Sequence, residues 1–128
     1  MVLELAQYFA SEIDLNDMKR DIVFALWSGE ELGLLGSKAF VEHYKDELRE
    51  KVLIIDAVFN FDMVGRLRDK LFMQAVGSSQ RWPKLLEIAG ARHGVALSAQ
   101  IDPYLPTDST SFYLAEIPTL NFFTGSHE

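Results

Sequence analysis

The sequence has 128 residues and no cysteine, carries a formal net charge of −7, and is 48% hydrophobic. This length predicts about one domain with a core of its own, and the composition is typical of a globular fold. The acidic balance, with no basic cluster, argues against nucleic acid as a partner, and the lack of cysteine excludes disulfides and thiolate metal ligands. No apolar run approaches the roughly 20 residues that cross a bilayer, so no membrane partner is expected. The N-terminus has no signal-peptide pattern, and the compartment stays open.

The first half of the chain predicts a helix, a strand and a second helix. Residues 1–13 place apolar side chains at helical spacing, and this helix begins so close to Met1 that sequence is expected to be missing upstream. A polar connection leads to an apolar run at Ile22–Trp27, which predicts a strand. After a short turn, the spacing predicts a helix from Leu34 to about Leu48.

The second half predicts further alternation of strands and helices. The predicted strands are Val52–Phe59, which is apolar enough to be buried on both faces, Leu71–Val76, a weaker Val95–Ile101, and Thr119–Phe123. A helix is predicted from Trp82 to His93, stopped by Gly94. A short helix is predicted from Ser109 to Ala115, capped by Asp108 or Ser109. This alternation predicts an α/β protein with three α/β/α layers.

Adjacent carboxylates follow the first predicted strand at Glu30 and Glu31. Functional groups of open α/β sheets lie at the carboxyl ends of strands, and neighbouring side chains in extended backbone point to opposite sides. One carboxylate could therefore ligate a metal while the other handles a proton. The alternative is a solvated acidic loop, because glutamate is mostly exposed.

Four segments in order resemble the dinuclear-zinc aminopeptidases, which include bacterial leucyl aminopeptidases and have glutamate carboxypeptidase and glutaminyl cyclase as relatives. The segments are Trp27–Ser37 (WSGEELGLLGS), Asn60–Gly65 (NFDMVG), Pro106–Ser109 (PTDS) and Ile117–Gly125 (IPTLNFFTG). The resemblance implies the zinc-peptidase, or phosphorylase/hydrolase-like, fold with a mixed central sheet. Residues 1–128 would form a single partial catalytic domain, a fragment that lacks both ends.

The resemblance also implies roles for individual residues. Glu30 would be the general base and acid, while Glu31 and Asp62 would each ligate one of two zinc ions. Asp108, Thr124 and Gly125 would line the substrate cleft. Two structural alternatives remain open, because an aspartate after a strand often bonds local backbone and Asp108 could serve as a helix cap.

Three of the family's metal ligands have no counterpart in this sequence. The first histidine, from a His-x-Asp motif, and the bridging aspartate are missing, and the last histidine belongs to a Tyr-His-Thr-type motif just beyond the segment that matches Gly125–Glu128. His127 is therefore not expected to be a native-type ligand. His43 and His93 are expected on the surface and at a helix end. Zinc binding by this chain is predicted to be weak or absent, because catalytic zinc sites usually need three protein ligands.

The functional hypothesis is thus part of a zinc aminopeptidase that hydrolyses N-terminal peptide bonds through a metal-activated water, with the isolated chain inactive. The expected partner is the N-terminus of a peptide substrate, together with a homo-oligomer formed through surfaces that truncation exposes. The alternatives are a non-catalytic association module on the same fold and a glutaminyl-cyclase-like enzyme. A nucleotide-binding domain is disfavoured, because no glycine-rich phosphate loop follows a predicted strand.

Overall fold

A computed structural model describes residues 1–126 of the chain. This part of the sequence contains five α-helices and four β-strands, and three of the helices precede the first strand. They are α1 (Val2–Glu12), α2 (Leu35–His43), α3 (Lys45–Arg49), β1 (Val58–Phe61), β2 (Leu71–Gln74), α4 (Trp82–His93), β3 (Leu97–Ala99), α5 (Ser109–Tyr113) and β4 (Thr119–Phe123). No helix within residues 1–126 has both the length and the apolar character that membrane crossing requires.

The four strands form one mixed sheet in the order β1-β4-β2-β3. The β1–β4 and β2–β3 pairs are parallel, whereas β2 and β4 run antiparallel. The predicted α/β class with a mixed sheet is therefore confirmed. Because β1 and β4 are parallel, the residues that follow them, Asp62 and Thr124, emerge at the same edge of the sheet. The hydrogen bond from Asp62 N–H to the Phe122 carbonyl (3.2 Å) extends this pairing to the last position before the loop.

The core lies between the sheet and helix α4. Trp82, in the first turn of α4, packs with Met73, Val76 and Leu120 in a buried cluster. The Trp82 indole N–H also donates to the Ser78 hydroxyl at 2.9 Å, so the polar edge of this buried ring has a partner. Helix α5 contacts β4 and β1, and α2 packs against α5. Through this chain of contacts the sheet sets the position of α2 and of the loop before it.

A ladder of side-chain amides crosses the sheet. Asn60 donates to Asn121 at 2.8 Å, Asn121 donates to Gln74 at 2.6 Å, and Gln74 donates to Gln100 at 2.7 Å. Asn121 is opposite Asn60 in the β1–β4 register and opposite Gln74 in the β2–β4 register. Because Asn121 is only 1% exposed, these bonds satisfy polar groups that would otherwise be buried without partners.

Several sequence predictions of the elements are confirmed. The structure has a helix at Val2–Glu12, a helix at Trp82–His93 and a strand at Thr119–Phe123. Gly94 ends α4 in the left-handed conformation (φ 64°) and its N–H donates to the Gly90 carbonyl, as expected for a glycine at this position.

Other predictions of the elements are wrong. Residues 22–27 form no strand, because no backbone of residues 1–126 pairs with them. The strand predicted from Val52 begins only at Val58. It is not buried on both faces, since Phe59 is exposed. The helix predicted to about Leu48 divides at Tyr44 into α2 and α3.

Candidate active site

The loop that carries the two glutamates is a compact turn held by its own backbone. The Glu30 carbonyl accepts hydrogen bonds from Gly33 and Leu34, and Gly29 adopts a left-handed φ of 67° that favours glycine. The Gly36 N–H donates to the Ser28 carbonyl at 2.9 Å, which ties the start of α2 to the beginning of the turn. The sequence therefore folds into a fixed platform on which Glu30 is partly buried and Glu31 is exposed.

An aromatic cluster anchors this loop to the helices. Trp27 lies just before the turn, and its ring is 5.3 Å from that of Phe40 in α2 and 5.6 Å from that of Phe112 in α5. Phe40 and Phe112 also contact each other, with ring centroids 6.0 Å apart. Tilted and edge-to-face contacts at these distances are favourable. The cluster fixes the glutamate loop relative to α5, which begins beside Asp108.

The remaining predicted site residues lie at the end of β1, the end of β4 and the start of α5. Asp62 is partly buried after β1, and Thr124 is buried after β4, where its hydroxyl donates to the Met63 carbonyl at 2.7 Å. Gly125 follows with a φ of 101°. Asp108 is only 7% exposed. Its side chain makes no cap hydrogen bond to α5, so the predicted capping role of Asp108 is wrong. The same holds for Ser109, whose hydroxyl pairs with that of Thr107 at 2.7 Å.

The four carboxylates interact electrostatically. Partial burial, followed by repulsion from Glu31, Asp62 and Asp108, raises the pKa of Glu30 above its ordinary value. Burial, with repulsion from Glu31 and Asp108, likewise raises the pKa of Asp62, although a hydrogen bond with the Met63 backbone opposes the shift. The structure thus brings Glu30, Glu31, Asp62 and Asp108 into one electrostatic neighbourhood.

Among residues 1–126, no basic side chain forms an ion pair with any of these four carboxylates. The ion pairs among residues 1–126 are Met1–Glu4, Arg20–Asp56, Lys45–Glu42 and Arg49–Asp46. None of them includes one of the four carboxylates. Within the same residues no group of three or more histidine, aspartate or glutamate side chains is arranged to hold a metal ion. His43 and His93 are exposed at the ends of α2 and α4, and His127 lies outside the described residues.

The sequence matches a known protein family over its whole length. A family model described as Peptidase family M28 matches residues 1–128. The chain belongs to Peptidase family M28. An M28 membership agrees with the four-segment resemblance and with the observed mixed α/β sheet.

Individual M28-like proteins that the chain resembles are called aminopeptidases. An aminopeptidase of Pseudomonas aeruginosa (strain UCBPP-PA14) is 38% identical over 63 residues, which are 49% of this chain and 10% of that protein. Among solved structures, LapA aminopeptidase of Legionella pneumophila superposes with a TM-score of 0.76 at 23% identity, covering 99% of this chain and 35% of that one. This likeness concerns the fold.

A zinc aminopeptidase from Bacillus subtilis, BSAP, superposes with a TM-score of 0.61 at 29% identity over 80% of this chain and 25% of that one. The M28 chain described here therefore spans about a third or less of the length of these solved relatives.

Sequence reasoning did not single out Ser37 and Ser111, the two hydroxyls that contact or support Asp108. Ser37 Oγ lies 2.5 Å from Asp108 Oδ1 and 2.8 Å from Ser111 Oγ. The Gly36-Ser37 pair belongs to the segment that resembles the zinc aminopeptidases, but nothing in the sequence links it to a residue 71 positions away. The sequence indicated a role for Ser37 only through its position, as a small polar residue in the first turn of a helix with an apolar face.

Proposed function

We propose that this chain contributes part of the active site of a zinc-dependent aminopeptidase, an M28 enzyme that cleaves N-terminal peptide bonds. What supports the proposal is that three separate segments, namely the glutamate turn, the end of β1 and the start of α5, bring carboxylates close enough together for repulsion to add to the raised pKa of Glu30 and of Asp62. Four acidic groups that form no ion pair with a basic side chain of residues 1–126 are costly unless a cationic ligand neutralises them. A metal ion and a substrate ammonium group are ligands of that kind.

The residues described do not complete a zinc site. Glu31 and Asp62 offer carboxylate oxygens, which zinc accepts, but catalytic zinc sites usually have three protein ligands. Residues 1–126 hold no group of three suitable side chains. We therefore infer that zinc would need donors from outside the described residues, and that this chain alone binds the ion weakly.

Glu30 is the residue we propose to move protons during hydrolysis. A general acid or base works best when its pKa lies near the operating pH, and partial burial beside Glu31 shifts the pKa of Glu30 upward in that direction. Glu30 also sits on a backbone held by two hydrogen bonds to its own carbonyl. It would accept a proton from the attacking water and return it to the leaving amine.

Hydrolysis of an aminoacyl-nitroanilide tests the proposal. The 128-residue chain should show no turnover at any practical zinc concentration, and calorimetry should find weak zinc binding. A full-length M28 protein that carries these residues should be active, and Glu30→Gln should abolish turnover while metal binding is retained. Zinc-dependent hydrolysis by the 128-residue chain, lost on Glu30→Gln, would show that the ligand requirement has been misjudged.

A second candidate function is protein association without catalysis. Its support is the segment 21–27, in which Ile22, Val23, Phe24 and Leu26 are all exposed. No backbone hydrogen bond from residues 1–126 reaches this segment, and unpaired backbone with exposed apolar side chains can pair with another chain. An M28 protein that shows no peptidase activity at full length, but associates through this segment, would favour this candidate.

A further inference from the structure

Asp108 is a buried carboxylate whose side chain is not used by the helix it begins. It is 7% exposed and lies at the N-cap of α5, yet it makes no side-chain cap bond there. Burying a charged group is costly unless it is hydrogen-bonded or paired. The contacts that Asp108 does make therefore indicate what the site needs from it.

A relay of two hydroxyls reaches Asp108 from helices α2 and α5. Ser37 is fully buried, and its Oγ lies 2.5 Å from Asp108 Oδ1, 2.8 Å from Ser111 Oγ and 3.3 Å from the Leu34 carbonyl. A serine has one hydroxyl proton. An ionised carboxylate can only accept, and charge-assisted bonds are the shorter and stronger ones. Ser37 therefore donates to Asp108, and Ser111 in turn donates to Ser37.

The relay occupies only one oxygen of the carboxylate. No hydrogen bond from residues 1–126 reaches Asp108 Oδ2, while Oδ1 has the Ser37 bond. The carboxylate thus has one oxygen held by Ser37 and a second oxygen that no group of residues 1–126 bonds, in a side chain that is 7% exposed.

We propose that Ser37, supported by Ser111, is a positioning residue that fixes Asp108 through Oδ1 and leaves Oδ2 to bind the α-ammonium group of a peptide substrate. This inference rests on the proposed aminopeptidase function and assigns a residue to the recognition of the free N-terminus. Ser37 acts only through Asp108 and touches no substrate. Because Ser37 lies in the first turn of α2, the relay also couples the glutamate turn to the ammonium site.

The test is the binding of L-leucinamide to the zinc-free 128-residue chain, followed by amide chemical shifts in NMR. N-acetyl-L-leucinamide, which lacks the ammonium group, should not bind. Asp108→Asn should weaken leucinamide binding by about tenfold, the order of effect that loss of one charge-assisted hydrogen bond produces. Ser37→Ala should weaken it by about fivefold, and the double variant should bind no more weakly than Asp108→Asn alone, because Ser37 would have no remaining route of action.

Ser109→Ala is the matched control. Ser109 is also fully buried and adjacent to Asp108, but its hydroxyl bonds Thr107 and not Asp108, so leucinamide affinity should be unchanged. Ser37→Cys keeps the side-chain shape with a weaker donor and should give intermediate affinity. If urea titrations show that Ser37→Ala is not folded, the leucinamide affinity of Ser37→Cys is the measurement that tests the role of Ser37.

Two results would overturn the inference: no leucinamide binding by the wild-type chain, or additive losses from Ser37→Ala and Asp108→Asn. Neither result bears on zinc-dependent hydrolysis, which the nitroanilide assay decides. Conversely, suppose that leucinamide binding depends on Ser37 and Asp108 but the full-length protein is inactive. That result would refute the proposed catalysis and would still support the ammonium site.

Discussion

Replacing Gly36 by alanine should destabilise the protein, although alanine is the better helix former. A Cβ at this position would lie 2.8 Å from the Ser28 nitrogen and 3.0 Å from the Ser28 oxygen. Both atoms are backbone, and the Ser28 carbonyl oxygen also accepts the Gly36 N–H bond that closes the glutamate turn. The methyl group cannot be accommodated by a side-chain rotation. The turn carrying Glu30 and Glu31 must move instead.

Two opposing effects set the size of the change. Glycine in a helix costs about 1 kcal/mol relative to alanine, so propensity alone favours the substitution. Overpacking against fixed neighbours typically costs about 1–3 kcal/mol, and contact with backbone places Gly36 in the upper part of that range. We expect a net loss of about 1–2 kcal/mol in the free energy of unfolding.

Urea unfolding followed by tryptophan fluorescence measures this difference, with Gly65→Ala as the control. A Cβ at Gly65 meets no atom within 4 Å, and the backbone there is not in the left-handed region. The control should therefore be neutral or gain about 0.4–1 kcal/mol from reduced freedom of the unfolded chain. If Gly36→Ala proved as stable as Gly65→Ala, the close packing of α2 on the glutamate turn would be refuted.

Three further predictions follow from the same structure. Glu30→Gln should stabilise the metal-free chain near neutral pH. The pKa of Glu30 is raised above its ordinary 4.5 in the folded state, so the protonated side chain is the form that favours folding. Its contribution to the free energy of unfolding is complete below pH 4.5 and is lost as the pH rises through the folded pKa, whereas glutamine stays neutral at every pH. The urea midpoints of the two proteins should differ at pH 7 and converge near pH 4, and a gain that persisted in acid would point to another cause. Trp82→Ala should lower the unfolding free energy by about 3–5 kcal/mol, since Trp82 belongs to the buried core cluster, and a loss below 1 kcal/mol in the same titration would contradict that packing. Sedimentation velocity should show dimers or larger species that Val23→Lys disperses, because Val23 is 82% exposed in the unpaired segment 21–27, and a clean monomer at high concentration would count against association.

The sequence predicted strands correctly where a partner segment is present. Thr119–Phe123 was predicted as a strand and is one, because its neighbours β1 and β2 are both present to pair with it. Ile22–Trp27 is apolar throughout and was also predicted as a strand, but it has no partner among residues 1–126. The preference of a segment for strand is local, whereas a strand needs a second segment to accept and donate its hydrogen bonds.

For the candidate site, the sequence likewise predicted individual residues better than the contacts between them. Glu30, Glu31 and Asp62 could be selected because each follows an apolar run, and the structure places their charges within reach of one another. Whether they ligate metal or transfer protons stays a prediction. Asp108 was expected either at the cleft or as a helix cap, and only its fully buried partner Ser37 decides against the cap. A contact between residues 37 and 108 depends on how α2 packs on α5, which local patterns do not encode.

The amide ladder determines where β1 stops relative to the rest of the sheet. A slip of β2 by one residue against β4 would turn Gln74 to the opposite face, and the Asn121 amide would lose its acceptor at a position that water hardly reaches. An unsatisfied buried group costs about 1–3 kcal/mol, so the wrong alignment is penalised by the lost amide bond in addition to the displacement of Met73 from the core. Because Asn60 bonds the same Asn121, the alignment chosen at the antiparallel joint is passed on to β1. Four neutral side chains, none of them a candidate ligand, thereby help to fix the point at which Asp62 leaves the sheet beside the end of β4.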